Sequence, residues 1–172
     1  MSEFDIRRFQ DFIGFRLPEE YALFLTTIGN GGAGPEGVLL ELDLSQPGLE
    51  KPARLPFPDQ ASLERDRTFV SASQFILTRD GTIRVSNRFF RRGNSPASAE
   101  DYNNYDDEDV TAHYFIMVVN GPDTGKVWKC DPPVHFRGRT FRGRMCPAVS
   151  KDGSQATFLV WYEEWLDSVL GP

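Results

Sequence analysis

The sequence predicts an α+β fold in one domain: short helices at the N-terminus, an antiparallel meander in the middle and a helix at the C-terminus. Three observations carry this. Tyr21, Phe24, Leu25 and Ile28 recur at the i, i+3, i+4, i+7 spacing of a buried helical stripe. Two strand-like runs, Tyr114 to Val119 and Val127 to Cys130, flank a glycine-bounded turn from Gly121 to Gly125. Finally, Phe158 to Val169 is rich in apolar and aromatic residues at helical period.

Taken in chain order, Phe4, Ile6, Phe9, Phe12 and Ile13 predict a first short helix that Gly14 ends. A second helix begins at Leu17. Pro18 pre-sets the helical φ of its first turn, Glu19 and Glu20 suit the N-terminal end of the helix dipole, and Gly29-Asn30-Gly31-Gly32 stops it. Val38 to Leu42 reads as a strand, followed by a proline-rich connection from Gln46 to Asp59. Phe75-Ile76-Leu77 and Ile83-Arg84-Val85 flank Asp80-Gly81, a hairpin signal, because glycine tolerates the positive φ of a tight turn. Residues 91 to 110 form a charged, polar insertion before the meander resumes. The closing helix places Phe158, Leu159, Trp161, Tyr162, Trp165, Leu166 and Val169 on an apolar face and turns Glu163, Glu164 and Asp167 to water.

A chain of 172 residues fits one domain, spanning 1 to 172, that buries roughly 70% of its unfolded-chain surface and needs no metal or disulfide to fold. No apolar run approaches the roughly 18 to 20 residues of a membrane span, and no basic segment followed by an apolar run opens the chain. The expectation is a cytoplasmic protein without a membrane partner. Cys130 and Cys146 then read as reduced thiols. Twenty-five acidic against 19 basic side chains give a net charge of -6, which disfavours nucleic acid and suits a basic protein partner.

The motifs that resemble chemistry fail on context. Gly29 to Gly34 matches the G-x-G-x-x-G spacing, but a helix precedes it and a strand follows, the reverse of a dinucleotide site. Gly121-Pro122-Asp123-Thr124-Gly125-Lys126-Val127 has three residues between its glycines and Val127 in place of the Mg²⁺-binding hydroxyl, so it reads as a hairpin turn and not a phosphate loop. His113 and His135 have no helical metal-ligand spacing, and Cys130, Asp131, His135 and Cys146 match no zinc motif. The expectation is therefore a non-enzyme with no catalytic residue, cofactor or metal. The tandem Phe136-Arg137-Gly138-Arg139-Thr140 and Phe141-Arg142-Gly143-Arg144-Met145 could stack on single-stranded nucleic acid, but offsetting the nearby acidic run accounts for it better.

That acidic run, from Asp101 to Asp109, is the candidate partner-binding site. Asp101, Asp106, Asp107, Glu108 and Asp109 can occupy a basic groove as phosphate substitutes, while Tyr102 and Tyr105 supply rigid apolar contact.

The order of Leu17-Pro18-Glu19-Glu20-Tyr21 running to Asn30-Gly31-Gly32, then Asn120-Gly121-Pro122-Asp123-Thr124-Gly125, then Trp161-Tyr162-Glu163-Glu164-Trp165, resembles the SUKH superfamily. The resemblance covers residues 17 to 32, 118 to 128 and 158 to 167. It implies a non-catalytic immunity protein that binds and neutralises a bacterial toxin domain, such as a nuclease or deaminase. The alternative it implies is an intracellular regulatory scaffold of the same fold, related to cell-wall-synthesis regulators; a small enzyme with an unrecognised site is the third reading, from another class. The insertion from 91 to about 110 departs from the family pattern and is a candidate specificity element.

Overall fold

The first helix, α1 (Glu3–Ile13), is set by its two ends. Ser2 and Asp5 form a reciprocal capping box: each side chain accepts the other's backbone N–H at 3.2 Å. The Ser2 hydroxyl and N–H bonds hold the Asp5 carboxyl below its ordinary pKa. At the other end Gly14, at φ 80°, donates its N–H to Gln10 O at 2.8 Å, a left-handed cap that glycine adopts without strain. Ile6, Phe9 and Ile13 are the buried stripe. Gln10 then accepts the Leu17 N–H at 2.9 Å, which fixes the path into the next helix.

This structure, a computed structural model, describes residues 1–35, 37–42, 56–57, 82–91, 95–97, 110–131, 134–136, 139–141 and 144–171. Pro18 caps α2 (Glu19–Thr27) from the position just outside it, at φ -50°. Tyr21, Phe24 and Leu25 are buried as the spacing requires, but Ile28 is 66% exposed. Ile28 is the C-cap residue, and the stripe ends one turn before it.

The sheet strands are β1 (Gly32–Gly34), β2 (Gly37–Leu39), β3 (Thr82–Arg91), β4 (Ser95–Ala97), β5 (Val110–Val118), β6 (Val127–Asp131) and β9 (Arg144–Pro147). Their order is β1-β2-β3-β5-β6-β9, with β4 also on β3, and the described pairings are antiparallel. A separate two-stranded sheet pairs β7 (Val134–Phe136) with β8 (Arg139–Phe141). The edge strands are short and end at proline: β1 is followed by Pro35 and β9 finishes on Pro147. Short edges with proline resist pairing with another chain.

The chain closes with α3 (Phe158–Leu170), whose Thr157 side chain caps the Val160 N–H. The helices and one sheet face share a core of Phe9, Tyr21, Phe24, Ile83, Phe115, Met117, Val127 and Phe158. The other face is buried too. Ile116, Val118, Trp128 and Cys130 are at most 5% exposed, and Phe57 packs its ring on Trp128 at 5.5 Å. The protein is thus α+β, as its sequence predicts.

Several elements differ from the sequence expectation. Gly32–Gly34, read as turn, is a strand. Ser95–Ala97, inside the stretch read as a polar insertion, pairs with β3, and β3 itself runs far beyond Ile83–Val85. The tandem Phe-Arg-Gly repeat contributes to three strands, β7, β8 and β9. On α3 the apolar face is narrower than its sequence: Phe158 and Tyr162 are buried, Trp161, Trp165 and Leu166 half-buried, and Val169 is 57% exposed because it lies past the packed part of the helix. The hairpin through Asp80-Gly81 lies outside the described residues except for its second strand.

Candidate functional site

The turn from Gly121 to Gly125 joins β5 to β6 and consumes its own polar groups. Thr124 N–H donates to Gly121 O at 3.3 Å, Gly125 N–H to Val118 O at 2.8 Å and Lys126 N–H to Asp123 O at 2.9 Å. The Lys126 ammonium donates to Gln155 O at 3.1 Å. A phosphate would need those amides and that cation turned toward it. Gly121 sits at φ 139° with the Phe57 backbone against it, so that an added Cβ would lie 2.8 Å from Phe57 O. Glycine is required here by backbone contact and not by a ligand.

The glycines after α2 have a similar account. Asn30 accepts the Leu42 N–H at 2.9 Å and donates to Leu42 O at 3.3 Å, tying the end of α2 to the strand region that follows. The order is helix, loop, strand, with no helix N-terminus to receive a pyrophosphate.

Around Phe158 the three motif segments meet. The Phe158 N–H donates to Gly125 O at 3.1 Å. Its ring lies edge-on to Tyr21 at 4.5 Å and to Phe24 at 5.1 Å, and Phe24 meets Tyr162 at 4.8 Å. A Cβ on Gly125 would stand 3.7 Å from Pro18 Cβ. Burial pushes the Tyr21 phenol up, so this ring stays neutral and serves packing.

Register separates the sulfur-containing set. Lys129 pairs with Cys146 and Cys130 with Met145, so Cys130 and Cys146 project from opposite faces of the sheet. They cannot ligate one ion or form a disulfide in this register. His113 and His135 belong to different sheets. Among the described residues no group of three or more His, Cys, Asp and Glu could hold a metal ion.

One cleft opens between α3 and the β9 side of the sheet, with a volume of about 380 Å³. Phe115, Lys129 and Cys146 form a cross-strand row on its floor, and Trp161 and Trp165 descend from α3, Trp161 lying 5.0 Å from Phe115. Exposed Val149 stands at its edge. Glu164, the carboxylate among the described lining residues, accepts the Lys151 backbone N–H at 2.8 Å. The cleft is lined by both apolar and polar groups, with Cys146 directly across from Lys129 on its floor.

The candidate site of the sequence reading, Asp101, Tyr102, Tyr105, Asp106, Asp107, Glu108 and Asp109, lies outside the described residues. Its flanks are placed. β4 ends at Ala97 opposite Phe89, and β5 starts at Val110 opposite Arg91, on the other side of β3. Val110 is eight residues, or about 27 Å of strand, from Val118, which leads into the Gly121 turn. Val110 therefore lies at the end of β5 opposite the convergence of motifs. Among the described residues no helix is long and apolar enough to cross a membrane. Comparison with family models, curated proteins and solved structures found no match.

Proposed function

We propose that this chain is a non-catalytic immunity protein of SUKH type, which binds a bacterial toxin domain and blocks it. The observation that carries the reading is the meeting of the three resemblance-bearing segments around Phe158. Ring contacts join Phe158 to Tyr21 and Phe24 near the other end of the chain, and a backbone hydrogen bond joins it to Gly125 of the central turn, which supports reading these residues as parts of one scaffold. A scaffold of that kind acts by the surfaces it presents, and an interface of standard size, about 1,200 to 2,000 Å², is within the reach of a domain this large. The net charge of -6 selects a basic partner.

The test is a titration against the toxin domain encoded beside this gene, with co-expression to measure protection. A complex with Kd below about 1 μM and survival of co-expressing cells are expected. Absence of both binding and protection would defeat the reading, and a pairing with cell-wall-synthesis machinery instead would favour the regulatory alternative. Within the complex, Asp106→Lys, Asp107→Lys and Asp109→Lys together are expected to slow association and leave folding intact, because opposed potentials speed encounter. Unchanged association would remove the acidic segment from the interface.

A further inference from the structure

Two neighbouring rows of side chains cross the helix-covered face of the sheet. One, Ile83–Met117–Val127, is apolar and buried. The next, two residues further along β5 and β6, is Phe115–Lys129–Cys146 and runs from the core to the edge strand β9. Phe115 is buried, whereas Lys129 and Cys146 are half-buried. Lys129 thus takes the place on β6 where the adjacent row has Val127. A charged side chain that breaks the apolar pattern of its own strand face is a departure of the kind that gathers at functional sites.

The cleft over this second row has aromatic walls that are already braced. Trp161 lies 5.0 Å from Phe115 and 6.0 Å from Phe158, and Trp165 lies 5.4 Å from Tyr162, yet both indoles stay half-buried. Rings held by core neighbours offer a flat apolar surface at little further cost in side-chain entropy. Charge in the cleft runs against that of the whole chain, which is -6. Lys129 and Lys151 line it, and Glu164 already accepts the Lys151 backbone N–H at 2.8 Å. The Lys151 ammonium approaches Asp167 at 3.8 Å, but both side chains are mostly in water, where such a pair is weak. An ammonium carries three donors, so an existing contact leaves Lys129 able to bond an anion as well.

We propose that this cleft binds a small aromatic carboxylate, with its ring against Trp161 and Trp165 and its carboxylate accepting hydrogen bonds from the Lys129 ammonium. The volume, about 380 Å³, is at the small end of ligand pockets, which run from about 300 to 1,000 Å³, and suits a ligand of one or two rings. A cationic ligand would be repelled by the two lysines, and an uncharged one would cover the Lys129 ammonium without replacing its water. A carboxylate offers a charge-assisted bond in exchange for that water. The inference does not rest on the immunity reading.

The experiment uses the full chain, with 1-naphthoate as the probe and uncharged 1-naphthamide as its control, followed through the indole N–H resonances of the three tryptophans. Naphthoate is expected to shift the Trp161 and Trp165 resonances and to leave that of Trp128, buried on the opposite sheet face, in place. It should bind about tenfold or more tightly than naphthamide. Lys129→Met keeps the apolar stem, removes the ammonium and should abolish that difference, its fold being checked by thermal melting. A wild-type readout stands beside the variant: naphthoate at about three times its Kd should slow iodoacetamide alkylation of half-buried Cys146 about fourfold, by mass action. No shift by about 5 mM naphthoate, shifts centred on Trp128, equal affinity for the two probes, or a folded Lys129→Met variant that keeps the difference would overturn the proposal. So would protection of Cys146 by the adjacent-gene toxin domain with none by naphthoate, which would make the cleft a seat for a protein side chain.

Discussion

Truncating Phe158 to alanine tests the convergence of the motifs directly. The ring is 1% exposed and touches Tyr21, Phe24 and Tyr162, so nothing but protein surrounds it. Buried Phe→Ala changes cost about 3 to 5 kcal/mol through lost transfer energy and the cavity left behind. Two edge-on ring contacts, at 4.5 and 5.1 Å, are each worth about 0.5 to 1.5 kcal/mol beyond area and place this site at the top of that range, near 5 kcal/mol. The backbone bond from Phe158 N–H to Gly125 O survives the substitution, so the loss reports the ring alone. Against a domain stability of about 5 to 15 kcal/mol, the variant is marginal. Urea unfolding with an m-value near 2 kcal/mol/M should show a midpoint about 2.5 M lower than wild type. Trp165→Ala is the internal control: its ring is only half-buried and meets Tyr162 at 5.4 Å, so about 2 kcal/mol is expected. A Phe158→Ala loss under about 2 kcal/mol, or one smaller than that of Trp165→Ala, would refute the placement of the core.

Gly121→Ala puts a Cβ 2.8 Å from Phe57 O and 3.1 Å from Phe57 N at φ 139°, so a loss of about 2 to 3 kcal/mol is expected in urea unfolding, and a neutral result would contradict the close approach. Asp152 accepts the Ser150 hydroxyl at 2.5 Å and the Ser154 N–H at 2.8 Å, which lowers its pKa to about 2. Because the folded value is depressed below an unfolded value of about 3.9, the stabilisation is complete above that pH and is lost as pH falls from about 4 toward 2. A carboxyl resonance of Asp152 titrating near 4, or acid unfolding between those values that is unaltered in Asp152→Asn, would contradict the turn geometry.

Helices and the central hairpin were legible in the sequence because their signals are local. Phe4, Ile6, Phe9, Phe12 and Ile13 mark α1, Gly14 ends it, and the Tyr21, Phe24, Leu25 spacing already states which side of α2 is buried. The Gly121 to Gly125 turn likewise lies between two strands whose β-branched and aromatic residues announce them. The short edge strands were not legible. Gly32–Gly34, Ser95–Ala97 and Arg144–Pro147 have three or four residues each, too few for a period, and are strands because β2, β3 and β6 offer them backbone partners. Burial limits were also tertiary: Ile28 and Val169 continue their helical stripes but lie beyond the packed body and stay exposed. For the candidate sites, sequence alone marked the acidic run and the failure of both glycine loops as nucleotide sites. Only the tertiary structure put Cys130 and Cys146 on opposite sheet faces and drew Pro18, Gly125 and Phe158 together, because strand register and helix pairing are set by contacts between residues far apart in the chain.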